Sequence, residues 1–402
     1  MEPGSNSAPG GPLQGLRVLD LTSYVSGPFC AMMLGDLGAE VIKIERPPKG
    51  DEMRGWPPLI NGLGSYFAMA NRNKKSMTLN LGTPQGREIL SRLLPTADVL
   101  LENFRPGVME RLGLGSEQVL QANPRLVFCR ISGFGQTGPS AQRPGFDQIL
   151  QGMSGLMSVT GTEESGPVRS GVAIGDVLTA IFAANGILAA LLAREKTGQG
   201  QVVTTSLLES LIGVLSVQAG AYLATGRDPG PAGNDHPVVA PYGLFKVKDG
   251  HLNIAAATDA MFEKLCGIIG MPHLAQQAEF SDNGKRMQNK QALVKEMEKG
   301  LAGGTRQEWE KKLTEAQIPC GPILSIGEAL AQPQVRHLEM LAQVDHPILG
   351  RFQFPGIPVK LADTPASVRC APPALGEHTE VILQELGCTS QEVDDLRAKN
   401  IL

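Results

Sequence analysis

The chain lacks an excess of either charge sign. Across 402 residues, 36 Lys and Arg stand against 40 Asp and Glu, a net charge of −4. That balance excludes binding driven by counterion release from nucleic acid or by a polybasic membrane patch. Aromatic residues are also scarce, at 4%, which removes the stacking platforms that single-stranded nucleic acid requires. Six cysteines, Cys30, Cys129, Cys266, Cys320, Cys370 and Cys388, occur without a C-x-x-C pair and without histidines at ligand spacing. No zinc site and no disulfide framework is expected, and unpaired thiols fit a reducing, cytoplasmic compartment. The longest apolar stretch, Ala180 to Ala193, is interrupted by Asn185 and falls short of the roughly 20 residues that span a bilayer. Met1 to Gly15 is rich in Gly, Pro and Ser, has no apolar h-region, and reads as a disordered extension, residues 1–15.

What is present first is an alternation of strands and helices. Leu16 to Leu21 reads as a buried strand, Pro28 to Asp36 as a helix with proline near its start, and Glu40 to Glu45 as a second strand. Ser76 to Leu81, Ala97 to Leu101 and Leu126 to Ile131 continue the pattern, with a helix opened by Thr83 and Pro84. This predicts an α/β fold: a large Rossmann-like parallel-sheet domain. Glu45 falls where a ribose-binding acid would sit, but the first turn, Thr22 to Pro28, contains no G-x-G-x-x-G. A nicotinamide dehydrogenase is therefore disfavoured.

Asp176 ends the glycine-punctuated run from Arg169 to Gly175 and opens a strongly apolar segment. Two readings of it stay open. Asp is a preferred helix N-cap, and the segment after it is apolar nearly all round, as a buried helix is. Gly171 and Gly175, lacking Cβ atoms, would equally let a ligand approach the carboxylate, and a helix N-terminus stabilises an anionic intermediate.

Beyond Val202 to Ser206, a strand, a long apolar helix runs from Leu207 towards Leu223. Gly226 to Pro237 is then rich in Gly, Pro and Asp and marks a boundary. Two strands split by Asp249 and Gly250 form a hairpin, followed by Lys- and Glu-rich helices from Met261 to Ala316 and a final helix from Thr379 to about Leu386. The organisation expected is a large α/β domain from residues 16–200 and 336–402, a linker helix over 201–225, and a smaller α+β domain with its return linker over 226–335.

Several strings, in order and spacing together, resemble the class III CoA-transferases: Gly27 and Pro28 with LGAEVIKIER from Leu37 to Arg46, NRNKKS from Asn71, ENFRPG from Glu102, GFGQTGP from Gly133, GFD from Gly145, GVAIGD ending at Asp176, and GEHT from Gly376. The resemblance covers the chain from about Leu16. It implies a CoA-transferase in which Asp176 is the nucleophile, forming an aspartyl anhydride and then an aspartyl-CoA thioester. It implies no permanently bound cofactor and no metal, with the CoA thioester as substrate. Its partners would be acyl-CoA and carboxylate substrates, without nucleic acid or membrane, in an interlocked homodimer.

The same resemblance assigns CoA contacts to Tyr24, Val25, Ser26, Arg46, Leu79, Asn103, Phe104, Arg105, Arg111, Phe146 and Asp147. Arg72, Lys74 and Lys75 are nearby candidates, although Lys74 and Lys75 read from charge alone as a solvated pair. Val25 stands where formyl-CoA transferase carries glutamine, which disfavours a formyl or oxalate pocket. Similarity of the Asn71 and Gly133 strings to succinyl-CoA-dependent members favours succinyl-CoA as donor and a dicarboxylate acceptor. The alternatives are a 2-methylacyl-CoA racemase and a non-catalytic CoA-binding protein. The racemase needs a histidine where this chain has Phe146, and a phenyl ring cannot move a proton. His236 reads as a surface or structural residue. Ala255 to Asp259 lies where some members carry a glycine-rich lid but lacks the run of glycines, and Asp259 reads as a helix cap ahead of a substrate contact.

Overall fold

A computed structural model of the chain describes residues 10–402. Two compact units are present. The larger comprises residues 10–157, 169–227 and 333–402, and the smaller comprises 158–168 and 228–332. Residues 1–9 of the expected extension lie outside the described residues. The rest of it is not a loose tail: Leu13 is buried and its N–H donates to the Leu37 carbonyl at 3.0 Å. A single leucine has the apolar area to anchor this otherwise polar segment.

The larger unit is built on six parallel strands: β1 (Arg17–Asp20), β2 (Glu40–Glu45), β3 (Lys74–Thr78), β4 (Val99–Glu102), β5 (Val127–Ser132) and β6 (Val202–Ser206). Their spatial order is β6-β5-β4-β1-β2-β3. Alternation along each strand sends side chains to opposite faces. Val18, Val99, Leu101, Val127 and Cys129 enter one core with helices α1 (Ser26–Asp36) and the apolar helix Ile174–Thr197. Leu19, Leu100 and Phe128 enter a second core with α2 (Pro84–Leu93) and the C-terminal residues Ile382, Leu383 and Val393. A parallel sheet covered on both faces results. Its strand order reverses between β1 and β4, which is where such sheets open a ligand crevice at their carboxyl ends.

Four further helices of this unit bear on the site: α3 (Asp147–Met153), α4 (Ile174–Thr197), α5 (Leu207–Val214) and α6 (Ser216–Thr225). Alanines at 180, 183, 184 and 190 allow α4 to pack closely against its neighbours. With 24 residues, α4 is longer than the apolar stretch read from the sequence and is long and apolar enough to cross a bilayer, yet one of its faces belongs to the core.

Within the linker expected over 201–225 the strand Val202–Ser206 forms as read, but the single helix expected from Leu207 towards Leu223 is two, α5 and α6. Val202–Ser206 joins the edge of the sheet beside β5. The helix then breaks by 71° at Ser216, whose φ is +40°, because that backbone cannot continue an α-helix. At the C-terminus α7 (Thr379–Glu385) is followed by a further helix, α8 (Ser390–Ala398). The sequence reading missed it, although Thr389 and Glu392 form a capping box that marks its start.

The smaller unit holds an antiparallel sheet of Tyr242–Val247, Gly250–Ala255 and Cys320–Pro322; the expected hairpin is present but turns at Lys248 and Asp249, one residue earlier than expected, with Gly250 already paired to Val247. Helices pack around Phe245, Phe262, Leu293 and Trp309. Asp259 does not cap its helix. Thr258 does, accepting from the Met261 N–H, while Asp259 pairs with Arg286 at 2.6 Å. A threonine in extended conformation reaches the free N–H group that a residue already in the first turn cannot. His236 stacks on Tyr242 with ring centroids 4.9 Å apart.

Candidate active site

The site forms at the carboxyl end of β1, where the chain turns from Leu21 to Ser26 before entering α1. Tyr24 holds φ +66° there, a left-handed conformation that a side-chain-bearing residue adopts only when its surroundings enforce it. Those surroundings are polar and buried. Asp20 accepts from the Thr22 N–H at 2.9 Å, Lys43 donates to the Thr22 carbonyl at 2.7 Å and pairs with Asp51, and Lys74 pairs with Asp20 at 2.8 Å. Asn103, at the end of β4, accepts from the Ser23 N–H and donates to the Ser23 carbonyl. One amide thus clamps both sides of the turn.

Lys74 is therefore no solvated charge. Its ammonium is fully buried, and burial lowers its pKa to about 8 against the opposing pull of Asp20. Arg72 is likewise engaged inside the protein, with Asp36 at 2.7 Å, and Lys75 pairs with Glu40. None of the three is left over for a ligand phosphate. β3 begins at Lys74, two residues before the apolar run suggests, because Lys74 and Asn73 find partners within the fold.

Asp176 occupies the first turn of α4, but the helix starts at Ile174 and Asp176 does not cap it. The carboxylate that does satisfy this end is Asp147, the first residue of α3. It accepts from the Gly175 N–H at 2.8 Å and from the Gln151 side-chain amide at 2.6 Å. Gly175 is required by this packing rather than by a ligand. A Cβ there would lie 2.9 Å from the Asp147 Oδ1 and 3.0 Å from the Leu211 Cδ1, whereas one at Gly171 would meet open space.

Released from capping, the Asp176 side chain faces a cavity of about 260 Å³ that it lines with Tyr24, Ser26, Phe104, Arg105 and Phe146. Burial pushes its carboxyl up to about 7. The negative charge of Asp147 adds to that rise, and the hydroxyl of Ser26, which donates to the carboxylate, opposes it. The result is a carboxylate that is poorly solvated and close to half-ionised near neutral pH. Such a group is a better nucleophile than one in bulk water. Phe146 is 63% exposed and stands edge-on to Tyr24, ring centroids 5.8 Å apart.

A second cavity, of about 300 Å³, shares Phe104 as a wall and is lined by Thr22, Ser23, Arg46 and Leu79. Arg46 forms no ion pair among the described residues, and its guanidinium suits a phosphate. The two cavities thus follow the crevice from a free cation at the end of β2 to the carboxylate of α4.

The sequence-predicted residues divide accordingly. Tyr24, Ser26, Asn103, Phe104, Arg105 and Phe146 join Asp176 at one cavity, while Arg46 and Leu79 meet Phe104 at the other. Val25, Arg111 and Asp147 line neither. Val25 packs towards the Phe67 and Phe352 cluster, Arg111 is the exposed end of a one-turn helix, and Asp147 is buried beneath Gly175. Arg143, which the sequence reading passed over, lines the Asp176 cavity. Its signal was a lone arginine in the Gly- and Pro-rich stretch between β5 and α3.

This geometry can be set beside known proteins. The model of CoA-transferase family III matches residues 13–379. The chain is 40% identical over 376 residues to mouse (Mus musculus) succinyl-CoA:glutarate CoA-transferase, covering 93% of this chain and 86% of that protein. It is also 40% identical over 380 residues to the acetyl-CoA:oxalate CoA-transferase of Acetobacter aceti, covering 94% and 96% of the two chains. Among solved structures, a CAIB/BAIF family protein from Brucella suis superposes with a TM-score of 0.85 at 37% identity, over 94% of this chain and all of that one. The chain belongs to CoA-transferase family III and is a CoA-transferase.

Proposed function

We propose that the enzyme moves CoA from succinyl-CoA to a dicarboxylic acid, with Asp176 as its nucleophile. The observation that carries this reading is the Asp176 carboxylate, uncommitted to the helix end, at a cavity beside Ser26 and Phe104. An Asp176 oxygen attacks the thioester carbonyl, the carbon–sulfur bond breaks, and CoA leaves as thiolate, producing a mixed anhydride. The thiolate then attacks the Asp176 acyl carbon, which releases the donor acid and leaves an aspartyl-CoA thioester. The acceptor carboxylate repeats the exchange in reverse and regains Asp176 as a free carboxylate. Each step trades one activated acyl group for another, so no ATP is consumed.

CoA would lie along the two cavities, its phosphates towards Arg46 and its sulfur towards Asp176. The mouse and Acetobacter relatives are named for glutarate and oxalate, both dicarboxylates, which supports that acceptor class. The side chain of Phe146 argues against proton transfer as the reaction, since it offers no titratable group opposite Asp176. Exposed Ile181, Phe182, Leu188 and Leu192 on α4, with Ile212, Val217 and Leu223 on α5 and α6, give the larger unit an apolar surface suited to a second copy. We read the enzyme as a homodimer, which light scattering on the purified protein tests.

The chemical test is trapping. Incubation with succinyl-CoA and hydroxylamine should convert Asp176 to a hydroxamate, adding its mass to the peptide that contains Asp176 and stopping turnover. An unmodified, active enzyme after that treatment would sink the proposal. A screen of succinyl-CoA and acetyl-CoA against mono- and dicarboxylic acids then identifies the substrates.

A further inference from the structure

The arginines most deeply built into the larger unit are matched to carboxylates there: Arg54 to Glu45, Arg72 to Asp36, Arg130 to Glu102 and Arg194 to Asp98. Arg143 is different. It lines the Asp176 cavity and forms no ion pair among the described residues. Its guanidinium lies 5.0 Å over the Phe134 ring and donates to the Met153 sulfur at 3.6 Å. Weak, soft partners of this kind hold a cation in place without neutralising it.

Arg105 is a second unpaired guanidinium of the same cavity. It follows Phe104, the wall shared with the Arg46 cavity, and so flanks the path assigned to CoA. Arg143 lines only the Asp176 side. Both arginines share the cavity with Asp176, and neither forms an ion pair with it among the described residues. A cation in contact with Asp176 would tie up the nucleophile. One that stands apart is free to meet the other end of a substrate whose reacting carboxyl is at Asp176.

We propose that Arg143 receives the far carboxylate of the dicarboxylic substrate and so is the residue that makes this site select dicarboxylates over monocarboxylates. The inference rests on the reading of the cavity as the place of acyl exchange. A far carboxylate entering a cavity lined by Phe146, Ile131 and Leu207 gives up part of its hydration, which a charged donor replaces. A guanidinium does so with two parallel hydrogen bonds. Donor and acceptor acyl groups occupy the same position in turn, so one arginine serves both succinyl-CoA and the acid that follows it.

The test compares glutarate with pentanoate, an acid of the same length without the far carboxylate. In a reaction of this two-stage kind, kcat/KM for the acceptor reports only the half-reaction that the acceptor enters. The ratio of kcat/KM for glutarate over pentanoate should fall about 30- to 100-fold in Arg143→Gln and lie between the two in Arg143→Lys, which keeps charge without the fork. Arg105→Gln should lower both values together and hold the ratio within about twofold. A wild-type enzyme with no preference for glutarate would overturn the dicarboxylate reading, and this inference with it. A wild-type preference that persists undiminished in both Arg143 variants would overturn the inference alone.

Discussion

Asp147 accepts the Gly175 N–H at 2.8 Å, and this one contact frees Asp176 for chemistry. The N-terminus of α4 needs a carboxylate, and the chain supplies it from α3. Asp176, one residue after Gly175, then has its own oxygens available to Ser26 and the cavity. The same arrangement places two carboxylates close enough that the charge of one raises the pKa of the other.

Turnover should depend on pH through Asp176. Asp176 must be ionised to attack, and its carboxyl is pushed up to about 7, chiefly by burial. The kcat/KM for acyl-CoA should therefore rise with pH along an acid limb centred near 7 and level off above it. A profile flat from pH 5 to 8 would show that Asp176 is already ionised across that range or is not the nucleophile.

A stability change follows from the same shift. The folded state holds the Asp176 proton more tightly than the unfolded chain does, so stability is full below about pH 4 and declines as pH rises to about 7. Asp176→Asn removes that slope and should be more stable than wild type at pH 8, by up to about 4 kcal/mol, while losing turnover. Thermal melting of both proteins at pH 5 and pH 8 measures it, and a difference that does not widen at the higher pH contradicts it.

Asp147 acts on Asp176 through position and charge, without touching substrate. Asp147→Ala should cost about 1–2 kcal/mol through the lost hydrogen bond to Gly175 and move the acid limb to lower pH, because a like charge is gone. A purely structural residue would reduce stability and leave the limb where it was. Titrating kcat/KM for this variant separates the two.

Gly175→Ala should destabilise the enzyme by about 1–3 kcal/mol, because the new methyl meets Asp147 at 2.9 Å and Leu211 at 3.0 Å. Gly171→Ala meets open space and should fall within about 0.5 kcal/mol of wild type. Chemical denaturation of the two variants, side by side, tests whether the glycine run serves packing or access.

The buried Lys74–Asp20 pair holds the turn that carries Ser26. Lys74→Met takes the ion-pair partner from buried Asp20, which keeps only Thr22 and the charge of Lys43, and should cost about 3–5 kcal/mol. A double variant that also replaces Asp20 with Leu should recover much of that stability, yet lose activity because the Thr22 contact is lost with the carboxylate. Recovery of both would mean that the pair has no part in positioning the turn.

The alternation of apolar residues made the strands legible before any fold was known: Glu40 to Glu45 appears with those bounds in both readings, since its alternate residues feed two cores. Local chemistry also announced Thr83 with Pro84 as a helix start. The strand order was not legible. Nothing within β1 says that β4, some 80 residues later, pairs beside it, and the crevice depends on that reversal. Likewise Lys74 reads as a surface charge until Asp20 lies opposite it.

Asp176 shows the same division in one residue. Its place before an apolar helix, and its resemblance to a family nucleophile, could be read from neighbouring letters of the chain. Its freedom from the helix end and its raised pKa come from Asp147, Ser26 and the burial around it. Periodicity and capping are properties of adjacent residues and are written locally. Charge coupling and desolvation are properties of distances in space, and these exist once α1, α3 and α4 have packed.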